Sequence, residues 1–128
     1  MAEGLDLVLA MNTASAERRW EEFEACFTAD LRAWSPAYEL EGREAFSAAI
    51  RQQNEAFDDI RIDTRVVTEQ ASTVVTEWDW SVPHPSGQGR VVLRGASIHE
   101  FREGRICCIR QYWDNTGFVA ALTAERGA

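Results

Sequence analysis

From Phe57 to Trp113 the hydrophobic pattern of this chain keeps a period of two, after an N-terminal part whose apolar residues recur at helical spacing. That single change of period restricts the fold. Ile60, Ile62, Thr64 and Val66 alternate with charged residues. Thr76, Trp78, Trp80 and Val82 alternate with Glu77, Asp79 and Ser81, which gives one wet and one apolar face. Pro83 to Gly89 reads as a hairpin loop, and Val91, Leu93, Gly95, Ser97, His99 and Phe101 share one face of the next strand. Gly104 then turns the chain into a last strand that ends at Asp114-Asn115-Thr116-Gly117. Strict alternation puts Cys107, Ile109, Gln111 and Trp113 on one face of it, and Ile106, Cys108, Arg110 and Tyr112 on the other. Neither face is polar, so both are expected to be covered.

Ahead of this run, Leu5, Val8, Leu9 and Asn12 share a helical face. A second helix is predicted to start near Ser15 and to carry the stripe Trp20, Phe23, Cys26 and Phe27 until Thr28-Ala29-Asp30 ends it. Leu31 to Trp34 reads as a short strand stopped by Pro36. Gly42-Arg43-Glu44 opens a third helix with Phe46, Ala49, Ile50 and Gln53 on one side. A short helix through Phe118, Val119 and Leu122 follows the last strand. Helices first and a long antiparallel run afterwards define an α+β fold, with the helices on one side of a bent sheet. The 128 residues suit one domain, 1–128, which can bury about two-thirds of its unfolded surface.

The net charge of −8, with Arg as every basic residue, argues against nucleic acid and anionic membrane surfaces as partners. No basic-then-apolar leader pattern opens the sequence, and no run reaches the length of a membrane span. Three cysteines, two of them adjacent, make neither a disulfide framework nor a zinc site, and a reducing, cytoplasmic setting is expected. Nothing in the residue pattern calls for a metal or a cofactor.

Glu41-Gly42-Arg43-Glu44, the segment Ile98 to Ile106 with its Gly-Arg-Ile turn, and Gln111-Tyr112-Trp113-Asp114 stand in an order and spacing that resemble the nuclear transport factor 2-like superfamily. Within it the chain is similar to ketosteroid isomerases, limonene epoxide hydrolases and SnoaL-like polyketide cyclases. The resemblance implies a cone: a strongly curved antiparallel sheet packed on three N-terminal helices around a central apolar pocket. It also implies where catalytic groups would stand. The isomerase general base falls on Ser35, its oxyanion tyrosine near Met11 and its oxyanion aspartate on Ser97. The cyclase histidine falls on Ser97 and its acid/base aspartate on Gln111. The epoxide hydrolase Arg and Asp fall on Trp78 and Trp80, and its other Asp on Gln111. Every acid or base of the three sets is therefore replaced.

What remains is a set of aromatics with one histidine. Trp78, Trp80 and Trp113 are expected on pocket faces, with Trp34 and Tyr38 near the mouth and Ser35, Leu93, Ser97, Ile109 and Phe118 completing a binding surface. Such a slot suits a planar hydrophobic ligand. His99 is the one inward-reading histidine. As a proton carrier near neutrality it is the candidate catalyst, with Gln111 as a carbonyl-fixing partner that cannot itself take a proton. Asp114 is expected to cap the terminal helix, and Cys107 has no cation on its strand face to activate it. Three readings stay open: an enzyme of cyclase or isomerase type acting on a hydrophobic carbonyl compound, a small-molecule binding protein, and a dimerisation module whose tryptophans fill the pocket. A homodimer is expected because Ile106, Cys108 and Tyr112 would otherwise expose an apolar row.

Overall fold

The computed structural model describes residues 2–124. Three helices come first: α1 (Ala2–Ala16), α2 (Trp20–Ala25) and, after two strands, α3 (Arg43–Glu55). The strands are β1 (Phe27–Ser35), β2 (Tyr38–Glu41), β3 (Arg61–Gln70), β4 (Thr73–Pro83), β5 (Arg90–Arg102) and β6 (Arg105–Trp113), and α4 (Thr116–Ala124) follows. They form one curved sheet in the order β2-β1-β6-β5-β4-β3. All neighbours run antiparallel except β1 and β6, which run parallel. No helix among the described residues is long and apolar enough to cross a membrane.

Several boundaries differ from the sequence expectation. Ser15 does not open a second helix. It is buried inside α1, whose inner face is Val8, Met11 and Ser15, while Leu9 is 41% exposed. The break comes at Arg18, where φ is 60°, and α2 starts at Trp20. Trp20, Phe23, Cys26 and Phe27 do turn toward the core, but Cys26 caps the helix and Phe27 already begins β1. Thr28-Ala29-Asp30 is therefore strand, and the four-residue β2 stands where no strand is expected. Gly42, with φ 92°, opens α3 as the sequence predicts, and its amide donates to the Leu31 carbonyl at 2.6 Å. The side chain of Val66 lies outside the described residues.

A β-bulge changes the reading of β6. Glu100 pairs with Cys108 but Phe101 pairs with Ile106, so Cys107 is an extra residue and the alternation reverses there. Ile106 consequently faces the core at 0% exposure rather than the outer row. Beyond the bulge Ile109, Gln111 and Trp113 face the helices as predicted, and Cys108, Arg110 and Tyr112 face out.

Two apolar clusters result. One joins α1, α2 and α3 to β1 and β6 through Val8, Met11, Phe23, Phe27, Phe46 and Ile109. The other joins β3, β4 and β5 to α4 through Ile60, Trp78, Trp80, Val91 and Phe118. Gly95 lets the second cluster form. A Cβ on it would stand 2.4 Å and 2.5 Å from Trp78 ring atoms and 2.7 Å from the Tyr112 carbonyl oxygen. Only glycine leaves room for the Trp78 indole against β5, where Gly95 pairs with Trp78 on one side and Trp113 on the other.

Candidate functional site: an apolar cavity with a neutral polar edge

Between the helices and the concave face of the sheet lies a cavity of about 280 Å³. Its sheet wall carries Trp78 and Trp80 from β4, Leu93 from β5, and Ile109, Gln111 and Trp113 from β6. Met11, Asn12 and Ser15 come from α1, and Phe46, Ile50, Gln53 and Asn54 from α3. Phe118 of α4 closes one side by packing edge-on against Trp80, with ring centroids 5.6 Å apart. Asp114 sets that helix in place, since its carboxylate accepts from the Thr116 amide at 3.0 Å and from the Thr116 hydroxyl at 2.7 Å. The tryptophans line this space rather than fill it. Trp78 and Trp113 meet edge-to-face at 6.2 Å.

Ser35, Ser97 and Gln111 belong to one hydrogen-bonded chain. Tyr38 donates its hydroxyl to Gln111 Oε1 at 2.8 Å. Gln111 Nε2 reaches Ser97 Oγ at 3.4 Å, and the Trp78 indole N–H donates to the same oxygen at 2.7 Å. Ser35, 3% exposed, accepts from the Ala37 amide at 3.1 Å and hydrogen-bonds Tyr38. Burial pushes the Tyr38 phenol up to about 12, the Ser35 bond opposing. Each member is thus uncharged near neutral pH. Ser35, Ser97 and Tyr38 back the wall, whereas Gln111 reaches its surface.

Two expected site residues lie elsewhere. His99 is not on the cavity wall. It is 1% exposed, and its Nδ1 stands 3.0 Å from the Val74 carbonyl on the neighbouring strand. A carbonyl only accepts, so Nδ1 carries a proton. Desolvation lowers the His99 pKa to about 4, against the Val74 bond, which raises it. This is a core histidine held by backbone, neutral at pH 7 and set apart from the cavity-lining residues. Trp34 is also absent from the wall. Ser35, Ala33 and Leu31 point inward, so alternation turns Trp34 outward, where it is 38% exposed and lies 5.1 Å from Tyr112.

Asn54 is a wall residue that the sequence reading passed over. It lies at i+8 from Phe46 and i+4 from Ile50, so helical spacing alone places it on the inward stripe of α3. No Asp, Glu, His, Cys or Arg lines the cavity among the described residues. No group of three or more His, Cys, Asp or Glu converges to hold a metal among them.

A bent sheet wrapped around helices, enclosing an apolar cavity with a small polar edge, defines a small-molecule-binding cone fold. The sequence model of the SnoaL-like domain matches residues 8–109, and the chain belongs to that family, within the nuclear transport factor 2-like superfamily. The chain is similar in structure to a putative SnoaL-like polyketide cyclase from Jannaschia sp. CCS1, with 18% identity, a TM-score of 0.81 and coverage of 96% of this chain and 93% of that one. It is similar to an epoxide hydrolase of M. tuberculosis described as LEH-like, with 18% identity, a TM-score of 0.74 and coverage of 99% and 97%. A putative ketosteroid isomerase from Kribbella flavida DSM 17836 matches at 20% identity and a TM-score of 0.69, over 89% of this chain and 79% of that one. No curated protein matches the chain.

The state of His99 has a consequence for stability. Its folded pKa is about 4 and its unfolded value about 6.5. Between them the unfolded chain binds a proton that the folded chain refuses. Stability is therefore full above pH 6.5 and falls on acidification toward pH 4, by up to about 3 kcal/mol. Urea denaturation of the wild type and His99→Asn, which keeps a donor for Val74 but cannot titrate, checks this. The wild type should lose stability faster between pH 6.5 and 4, and parallel profiles would contradict the assignment.

Proposed function

We propose that this SnoaL-like protein is of the cyclase/isomerase type and takes a neutral, flat, hydrophobic carbonyl compound into its cavity, with residues 1–128 acting as one domain. One observation carries the reading: the neutral amide of Gln111 is held by Tyr38 and Ser97 on the sheet wall, beside the tryptophans of a cavity whose other polar lining, from Asn12, Ser15, Gln53, Asn54 and Asn115, is also uncharged. The Gln111 amide offers an N–H to a ligand oxygen. The Tyr38 hydroxyl on its Oε1 strengthens that donor, because hydrogen bonds in series polarise one another. Burial of the ligand ring against Trp78, Trp80 and Trp113 supplies affinity, and the volume, near the low end of roughly 300–1,000 Å³ ligand pockets, suits one or two rings.

The same parts limit the chemistry. An amide cannot abstract a proton. The site acts by holding a carbonyl in place, so that a flexible substrate is folded into a reactive arrangement and negative charge growing on oxygen meets a donor. The family and the neighbours described as polyketide cyclase and ketosteroid isomerase support this class. A second reading, binding without turnover, is favoured by the lack of any titratable group on the described wall.

Binding of 2-acetylnaphthalene, followed by tryptophan quenching, tests the cavity. Trp78→Ala and Trp113→Ala should each weaken it by about 1–3 kcal/mol, the scale of a buried aromatic anchor. If the compound does not bind, or if both folded variants bind as well as the wild type, the cavity reading fails. Exchange of the acetyl protons for deuterium then separates the two readings. The cyclase/isomerase reading expects exchange above the buffer rate, with solvent deuteroxide taking the proton while the Gln111 N–H holds the enolate oxygen, and that gain lost in Gln111→Ala. The binding reading expects the buffer rate with the wild type and a gain only in Gln111→Asp, whose desolvated carboxylate can act as a base.

The outer sheet face supports a homodimer. Trp34 and Tyr112 meet there at a tilt of 47°, and Val92, 44% exposed, and half-buried Ile98 lie on the same face, although Ile106 does not contribute. Sedimentation velocity at micromolar concentration should show a dimer that Tyr112→Glu dissociates, and a monomeric wild type would count against it. Three free thiols are consistent with the cytoplasm as its compartment.

A further inference from the structure

We infer that Asn54 is a second polar anchor of the cavity, and that the ligand carries a hydrogen-bond donor, a hydroxyl or an amine N–H, at the end opposite its carbonyl. This rests on the reading of the cavity as a binding site for a carbonyl compound. Asn54 is 1% exposed and stands on the cavity wall. Its Nδ2 donates to both the carbonyl oxygen and the hydroxyl of Ser15, each at 3.0 Å. Its Oδ1 has no hydrogen-bond partner among the described residues.

The amide cannot be turned over to relieve this. Rotation would set Oδ1 against the Ser15 carbonyl, two acceptors at hydrogen-bond distance. The carbonyl therefore fixes Nδ2 where it is and leaves Oδ1 as a pure acceptor. A buried acceptor left unmade is costly, so a ligand that supplies a donor gains more here than on an open surface.

Placement along α3 gives the ligand its polarity. Tyr38, which holds Gln111, packs against Phe46 at 6.0 Å. Asn54 is eight residues farther along the same helix, about 12 Å at 1.5 Å per residue. Ile50 lies between them on the wall. A ligand lying along α3 thus meets a donor at the Gln111 end, an apolar middle, and an acceptor at the Asn54 end. A hydroxy-ketone on a flat ring system has this order of groups. A plain aromatic ketone fills the same space but leaves Oδ1 unpaired.

Three matched probes test this with the intact protein: 2-acetylnaphthalene, its 6-hydroxy derivative and its 6-methoxy derivative, which has similar bulk but no donor. The hydroxy compound should bind at least about tenfold more tightly than the other two, and Asn54→Leu should erase that advantage while the plain ketone still binds. If the hydroxy and methoxy compounds bind the wild type equally, Oδ1 is served by solvent and the inference is overturned, with the carbonyl-site reading left standing. An advantage that survives in Asn54→Leu also overturns it. Failure of all three probes to bind overturns the carbonyl-site reading itself. Should Asn54→Leu not fold, a crystal structure of the wild type with the hydroxy compound decides: its hydroxyl lies within hydrogen-bond distance of Asn54 Oδ1, or the inference is wrong.

Discussion

The seating of the Trp78 indole on Gly95, fixed by its 2.7 Å bond to Ser97, is the contact on which the site depends. The ring fits there only because β5 lacks a Cβ at that position, and its N–H donates to the hydroxyl that Gln111 also reaches. Moving the ring would open the wall, leave a buried indole N–H unpaired and release one end of the Gln111 amide. Packing and polarity are thus set by one residue pair. The cavity keeps its shape because Trp113 and Phe118 close against Trp78 and Trp80 from β6 and α4.

From that contact follows the chemical character of the cavity. A buried carboxylate at Gln111 or Ser97 would face an indole N–H on one side and apolar rings on the other, and desolvation would raise its pKa toward the range of a working base. An amide and a hydroxyl in those places are satisfied by each other and by Tyr38, and carry no charge. No side chain on the described wall can take up a proton near neutral pH. The site can present a fixed donor to a carbonyl at little reorganisation cost, which is the part of an oxyanion site that does not titrate. Charge is kept to the outer face, where Asp79 is held by Arg65 and Arg94 and Glu100 by Arg110.

Much of this was legible in the residues. Alternation through β3, β4 and β5 placed Trp78, Trp80, Leu93 and Ser97 on the inner face, and Gly42 marked the start of α3. Two misplacements come from what periodicity does not carry, a bulge and a cross-strand neighbour, and a third from not applying it. One extra residue at Cys107 reverses the face of Ile106, which no count of twos reveals. Trp34 looked like a mouth residue because it is aromatic and near Pro36, yet parity with Ser35 sends it outward. His99 does point inward, but Val74 on the adjacent strand claims its ring nitrogen, and cross-strand register is a tertiary fact. Asn54 was within reach, since Phe46, Ile50 and Asn54 follow helical spacing, but a polar residue at the end of a helix invites assignment to solvent.

Every side chain on the described cavity wall is neutral across the physiological range. Behind the wall, the Tyr38 phenol is pushed up to about 12, and in the core His99 is lowered to about 4. The dissociation constant of a non-ionising ketone such as 2-acetylnaphthalene, measured by calorimetry from pH 6 to pH 9, tests this neutrality most directly. The account predicts a flat profile, within about twofold, because no proton is taken up or released on binding. A sigmoidal or bell-shaped dependence in that window would place a titrating group at the ligand and contradict the account.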